Sequence, residues 1–433
     1  MPKASPPVHS PAALLWAGTG AEPVAGTLHP VGHGFVSRYA LAYMSTCLVL
    51  VAPLLVTLAL KVEAVVGKDK APSRLALVAG AGALVAMVGN PLVGRLSDRT
   101  TSPLGRRRPW MVVGLAGGTA GVFVVAMAPN IPVVLVGWCV AQLFFNALLA
   151  AQVAVLPDQV PVAQRGMVSG VLGVCLPVAA VSGTFLVQLF SGNQLAMFLA
   201  PCALGAVFIL PFAVTLDDHR LTSAGTPAWT MRDVLSTFYI APRTSPDFAW
   251  AFASRFLFVS AYAVLVTYQA YYLQDQIGST KRDVAHQIFL GTVLQSVVAV
   301  AASLLCGRLS DQTGRRKAFV IAASVTYGAA LFVVAIASTV SGYLVGMALS
   351  GLGFGAYMAV DLALVADVLP DQDNAAKDLG ILNIAGALPF FVAPAVAPAV
   401  LAVGGGSYGV LYAVAGACAL LGALAIWPVK GVR

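Results

Sequence analysis

Twelve long apolar runs occupy most of this 433-residue chain, and they confine the fold more than any other feature. About 20 mostly apolar residues is the length an α-helix needs to cross a hydrocarbon layer of about 30 Å. Inside lipid the backbone finds no water to bond, so only helices and closed barrels can span. The runs are continuous rather than alternating and are rich in Ala, Leu and Gly, which selects helices over strands. They fall at roughly 36–60, 73–96, 110–128, 131–155, 166–190 and 194–215, then at 248–273, 284–306, 318–338, 341–366, 379–403 and 407–428. The expected fold class is an all-α integral membrane protein of twelve transmembrane helices in two six-helix bundles.

Composition agrees. Charged residues make up 10% and hydrophobic residues 59%, whereas a soluble domain carries about 25% charge. Disorder, collagen and small disulfide scaffolds are excluded by the same figures. The net charge of +8 would point to nucleic acid in a soluble protein. Here the basic residues sit in short loops between apolar runs, so the lipid bilayer is the expected partner and nucleic acid is not. The six cysteines all lie inside apolar runs without metal-ligand spacing and read as small buried side chains.

The loops set direction. With the N-terminus, the even-to-odd loops and the C-terminus on one side, that side holds 18 Lys and Arg and the other holds 6; Arg255 lies in a span and completes the total of 25. Such a bias places both termini in the cytoplasm of a cell (plasma) membrane protein. Trp110, Trp250 and Trp427 fall at cytoplasmic span ends, where an aromatic belt belongs. Four segments are expected: a flexible cytoplasmic tail at 1–34, a bundle at 35–216, a cytoplasmic linker at 217–247 and a second bundle at 248–433. Within the linker, 230–238 has the pattern of a short amphipathic surface helix, with an irregular linker as the alternative.

The two halves repeat. Gly94-Arg95-Leu96-Ser97-Asp98 recurs as Gly307-Arg308-Leu309-Ser310-Asp311, and Leu156-Pro157-Asp158-Gln159 recurs as Leu369-Pro370-Asp371-Gln372, both at an offset of 213. Six spans per copy is an even number, so both copies keep one orientation, as in a parallel duplication about an axis along the membrane normal. A central site between two bundles follows. In each copy the first motif continues into a basic turn: Arg99 leads to Gly105-Arg106-Arg107-Arg108, and Gly314-Arg315-Arg316-Lys317 is the shorter counterpart. Glycine allows close approach, a carboxylate at a span end suits the N-terminus of a neighbouring helix, and the arginines suit acids or anionic lipid.

This duplicated pattern resembles the signature loop of major facilitator superfamily transporters, and the resemblance covers residues 36–428. Within the superfamily, SDRTTSPLGRRRPW and the LPD loops are similar to those of sucrose transporters and glycoside–pentoside–hexuronide symporters. The resemblance implies alternating access, with Gly94, Asp98, Arg99, Gly105, Arg106, Gly307, Asp311, Gly314 and Arg315 as gating residues. It also implies that Asp98 faces the start of span eleven near Asp378 and Leu379, that Asp311 faces span five near Gly166, and that spans one, four, seven and ten line the cavity. Two departures stand out: spans two and four lack the acids that melibiose-permease-like members use for sodium, and span five lacks the Gly-Pro dipeptide of drug antiporters.

Ionisable groups inside spans default to function because they are expensive there. Arg255 in span seven and Asp361 in span ten lie at depths of roughly 10 Å and 8 Å by helical rise, so they are placed to meet. Arg255, Tyr262 and Gln269 stripe one helix face, and Tyr357 shares a face with Asp361. Tyr39, Tyr43, Gln142, Asn146, Gln295 and Asn383 add the hydroxyls, amides and aromatic faces that a polyol or sugar needs. The alternatives are a structural ion pair between two helices and, for each amide or Tyr, simple helix packing. His286 reads as a surface group. No phosphate-binding loop, H-E-x-x-H or G-x-S-x-G occurs, so no enzyme site and no cofactor is expected. The chain is expected to be a monomeric secondary transporter of a small polar substrate, a sugar or glycoside moved with protons; an exporter of drug-like molecules and a non-transporting sensor are the alternatives.

Overall fold

A computed structural model describes residues 30–218, 246–367 and 384–429, and every regular element among them is helical. Twelve helices are long and apolar enough to cross a membrane. They are α1 (His33–Val66), α2 (Ala71–Asp98), α3 (Arg108–Met127), α4 (Ile131–Gln159), α5 (Val162–Leu189), α6 (Gln194–Thr215), α7 (Pro246–Asp275), α8 (Lys281–Thr313), α9 (Arg316–Ile336), α10 (Val340–Asp367), α11 (Ile384–Val403) and α12 (Tyr408–Ile426). The order matches the twelve apolar runs. The 230–238 segment and most of the 1–34 and 217–247 stretches lie outside the described residues.

Local chemistry sets the helix starts. Asn130, Asn193, Thr280 and Ser407 precede α4, α6, α8 and α12, and each side chain accepts a backbone N–H of the first turn. Such caps satisfy donors that no helix can satisfy internally. Helix α1 carries one irregularity, a π-helical turn over Pro53–Thr57. Proline has no N–H to donate, so the ladder is already broken where the wider turn is inserted.

Several boundaries differ from the sequence expectation. Helix α1 continues beyond residue 60 to Val66, carrying Lys61 and Glu63 into the protein. The Gly94–Asp98 and Gly307–Asp311 motifs are the last turns of α2 and α8 rather than loops. Likewise Leu156–Gln159 closes α4, with Pro157 inside the helix. Charged residues extend these helices because partners on neighbouring elements meet their side chains, as described below.

In the first half α2 and α3 pack on α4, while α5 and α6 pack on α1; in the second half α8 and α9 pack on α10, and α12 packs on α7 and α9. The halves meet chiefly through α2 against α11 and α5 against α8. The duplication survives in detail. Arg108 Nη2 donates to the Leu216 carbonyl, and its counterpart Lys317 Nζ donates to the Val429 carbonyl at 2.8 Å. Packing partners are exchanged between copies: Gly82 of α2 makes room for Trp138 of α4, whereas at the equivalent contact Gly351 of α10 makes room for Gln295 of α8. The helix that carries the glycine is swapped between the copies.

Gly351 and Gly355 bring α10 against the backbone of α8. A Cβ on Gly355 would overlap the Ala299 carbonyl, whereas Gly170 of α5 has nothing within 4 Å of that position. Overpacking of this kind costs typically about 1–3 kcal/mol. Gly355→Val is therefore expected to lower the melting temperature of the purified protein by several degrees, with Gly170→Ala unchanged, as read by a fluorescence melt in detergent.

Candidate functional site

Three polar constellations interrupt the apolar packing. The first is the pair expected from the sequence. Arg255 Nη1 donates to Asp361 Oδ2 at 2.8 Å, and the aspartate side chain is only 5% exposed. An isolated charge at this depth costs about 2.5–3.5 kcal/mol on insertion scales, and pairing relieves it. Around the pair the hydrogen-bond inventory is incomplete: Arg255 Nε is buried without a partner, while the Tyr357 hydroxyl lies against Asp361 and Ser254. Aromatic rings close one side. Tyr357 stacks on Phe258 with centroids 3.7 Å apart, Phe258 packs on Tyr327, and Tyr262 stacks on Phe354 and meets Phe390 of α11 edge-on. Gly386 of α11 lies beside the guanidinium.

Across from it, the first half offers a chain of amides. Asn90 of α2 donates to Asn146 Oδ1 at 3.4 Å, and Asn146 Nδ2 donates to Gln142 Oε1 at 3.1 Å. The remaining candidates are dispersed. The Tyr39 hydroxyl donates to the Gln152 carbonyl of α4, and its ring stacks on Phe212. Tyr43 packs beside Cys47 and Ala179. Gln295 donates to Ser350 Oγ at 2.9 Å, which ties α8 to α10. Gln269 donates to the Leu55 carbonyl and accepts from Tyr343. Asn383 lies outside the described residues. The six cysteines are free thiols, and among the described residues no group of His, Cys, Asp or Glu is placed to hold a metal ion.

The second constellation lies at the end of the bundle that carries the α2–α3 connection. Arg107 is its hub, 3% exposed, with Nη2 at 2.5 Å from Asp98, Nε at 2.9 Å from Asp158 and Nη1 donating to Ser97. Arg106 reaches the other oxygen of Asp158 at 2.6 Å. Burial alone weakens the hold of Arg107 on its proton, and the Asp158 and Asp98 carboxylates more than reverse that. Asp218 accepts from the backbone N–H groups of Arg107 and Arg108, at 2.6 Å and 2.9 Å, and so caps α3 with a negative charge. That position suits the positive end of the helix dipole. Gly105 makes the arrangement feasible: its φ of +101° is left-handed and a Cβ would overlap the Asp218 carboxylate. Gly94 lies near Ala150 and Gly307 near Ala359. Gly314 ends α8 at φ +64°, and Arg99 and Arg315 are exposed. The expected partners of Asp98, at 378 and 379, lie outside the described residues; here Asp98 is engaged by Arg107. The Asp311 side chain and its expected neighbour Gly166 also lie outside the described side chains.

The third constellation, at the opposite end, joins the two halves. Glu63 of α1, 2% exposed, lies 2.8 Å from Lys281 of α8 and accepts from Gln274 of α7. Lys68 pairs with Asp275 at 3.4 Å, Tyr271 donates to the Ala59 carbonyl, and Gln188 meets His286 at 2.9 Å. Among the described residues the polar bonds between the halves lie at this end, which they hold closed.

The sequence reading missed Glu63, Gln274, Asn90, Ser254, Asp158, Asp218 and the central role of Arg107. Asp158 was within reach, since it stands in the duplicated LPDQ. Glu63 looked like part of a polar loop and carried no signal.

A twelve-helix bundle with duplicated halves, a buried ion pair between helices and one sealed end has the build of a membrane transporter. The family model of the Major Facilitator Superfamily matches residues 35–294 and 284–431, and the chain belongs to that superfamily. It is a multi-pass membrane protein. No curated protein matches the chain. Among solved structures it is similar to the nucleoside transporter NupG, with a TM-score of 0.70 and 14% identity over 91% of this chain and 98% of that one. A mutant of the same transporter matches with a TM-score of 0.72 and 12% identity, over 91% and 99% of the two chains. These likenesses establish the fold.

Removing one partner from a buried ionic network is costly, about 3–5 kcal/mol, because it strands the others. Arg107→Ala strands Asp98 and leaves Asp158 to Arg106 alone, whereas Arg106→Ala leaves both carboxylates with Arg107. The first substitution is expected to lower the melting temperature clearly more than the second, and the order is checked on the two purified proteins side by side.

Proposed function

We propose that the chain is a secondary active transporter that moves a sugar or glycoside together with protons by alternating access. The observation that carries this reading is the buried Arg255–Asp361 pair, with an unpartnered guanidinium nitrogen, a neighbouring tyrosine hydroxyl and aromatic rings around it. Hydroxyl-rich solutes need such donors and acceptors, and aromatic faces suit the apolar side of a sugar ring. Nucleosides are N-glycosides and fall within the same class. The narrower resemblance to sucrose transporters and glycoside–pentoside–hexuronide symporters supports the same substrate class.

With both termini in the cytoplasm, as the distribution of Lys and Arg favours, the sealed end carrying Glu63 faces outside and the conformation is inward-facing. The Asp98–Arg107–Asp158 cluster then belongs to the cytoplasmic gate. In this reading Asp98 exchanges Arg107 for the N-terminus of α11 when that gate closes, a contact worth roughly 0.3–2 kcal/mol. Asp98→Asn is expected to keep the fold, slow transport and favour the inward-facing state; equal labelling of cysteines from both sides in mutant and parent would overturn the gating role.

Asp361 is the proton carrier in this scheme, and it must part from Arg255 at some stage, because the guanidinium and the proton compete for the same carboxylate. In proteoliposomes loaded with a glycoside panel, Asp361→Asn should abolish uphill accumulation and spare counterflow exchange, which moves no net proton. Arg255→Ala should be more damaging than the double variant with Asp361→Asn, since the single change leaves a buried charge alone. Accumulation by Asp361→Asn against a gradient would remove the proton role.

A further inference from the structure

At the sealed end the Glu63 group encloses a small cavity between the halves. Its wall is Glu63 of α1, Lys68 of the turn that follows, Tyr271, Gln274 and Asp275 of α7, and Tyr408 of α12. The volume of about 10 Å³ is the room that one water-sized occupant needs. The Gln274 amide fixes the chemistry inside. Its Nε2 donates to Glu63 Oε2 at 2.8 Å and to the Ala270 carbonyl at 3.4 Å. A carboxylate and a carbonyl only accept, so the amide cannot be turned over. Gln274 Oε1 is thereby left buried and without a hydrogen-bond partner, on a residue only 6% exposed. A buried acceptor left unserved is costly, and it marks a place where something is received. The Tyr271 hydroxyl spends its hydrogen on the Ala59 carbonyl at 2.8 Å, so only oxygen lone pairs remain to it. Glu63 and Asp275 add carboxylate oxygens to the same wall.

We infer that this cavity binds one small monovalent cation, of the size of sodium, which bridges α1 to α7 and α12. Carboxylate and amide oxygens are the ligands that hard cations take. A water has two hydrogens to share among these acceptors, whereas a cation serves them all. The ammonium groups now beside the acids are loosely held. Lys281 lies 2.8 Å from Glu63 and Lys68 lies 3.4 Å from Asp275, but their side chains are 64% and 57% exposed, and exposed pairs gain little. Glu63 differs, because a carboxylate buried this deeply needs a positive partner. The cation reaches it by releasing the Lys281 ammonium into solvent. Since the ion spans the seam between the halves, its binding and the closure of this end favour each other. The site is separate from the Arg255–Asp361 pair and does not rest on the glycoside or proton reading.

The test melts the purified full chain in detergent, in sodium chloride against choline chloride at equal ionic strength. Sodium is expected to raise the melting temperature saturably by about 3 °C or more, and potassium, a larger ion, by clearly less. Lys281→Ala removes the competing ammonium. It should melt below the parent in choline, recover in sodium, and reach half of its shift at a severalfold lower sodium concentration. Gln274→Leu should abolish the shift. Asp275→Asn, at the exposed lip of the cavity, should weaken it severalfold without threatening the fold. Retention of radioactive sodium by the parent, competed by unlabelled sodium and reduced in Asp275→Asn, reads the same site without heating. Equal melts in sodium and choline for both the parent and Lys281→Ala would assign the cavity to a water and overturn the site. A sodium shift that Gln274→Leu and Asp275→Asn leave unchanged would place the ion elsewhere and overturn it equally.

Discussion

Hydrocarbon supplies neither hydrogen bonds nor counter-charges, and the architecture of this chain is a response to that constraint. Each buried ion is met by a group from another helix: Arg255 by Asp361, Glu63 by Lys281 and Gln274, and Arg107 by Asp98 and Asp158. Lys61 ends on the Ala126 carbonyl at 2.8 Å, where the C-terminal carbonyls of α3 lack internal partners. These contacts tell apolar helices, which slide past one another at little expense in lipid, where to stop. Glycine then sets how closely they approach.

The three ionic constellations have different geometries and so different capacities for change. Arg107 sits within one half, and its partners come from that half, so these contacts do not tie the two halves together. The Glu63 group crosses between halves and ties them at this end. The Arg255 pair lies within the second half but borders α11, a helix that also packs against α2 of the first.

Much of this was legible in the residues themselves. Continuous apolar runs gave the helix count because span length is set by the bilayer. The offset of 213 gave the duplication, and the structure carries it into matched contacts such as Arg108 with Leu216 and Lys317 with Val429. Arg255 and Asp361 stood out because charges in apolar runs are rare. Glu63 did not, because its surroundings are made by α7 and α8, more than 200 residues away in sequence. The helical state of the Gly94–Asp98 motif was also hidden: a glycine, a serine and an aspartate read locally as a turn, and the Arg107 hub and the capping Asp218 that extend order past it are tertiary. Tyr39 and Gln269 have the chemistry of ligand-binding groups, yet their polar atoms engage main-chain carbonyls, a distinction that side-chain identity does not encode.

The sealed end has an asymmetry of authorship. Tyr268, Gln269 and Tyr271 of α7 supply side-chain donors, while α1 and α2 answer with the main-chain carbonyls of Leu55, Ala59 and Pro72. A carbonyl persists whatever residue bears it. At these three contacts the first half is thus free to drift in sequence, whereas the second must keep its hydroxyls and amide; Glu63 and Lys68, which bond through side chains, are not free. Paired substitution between the two sides would leave little trace there, and comparison of related chains would find the contact written on α7 alone.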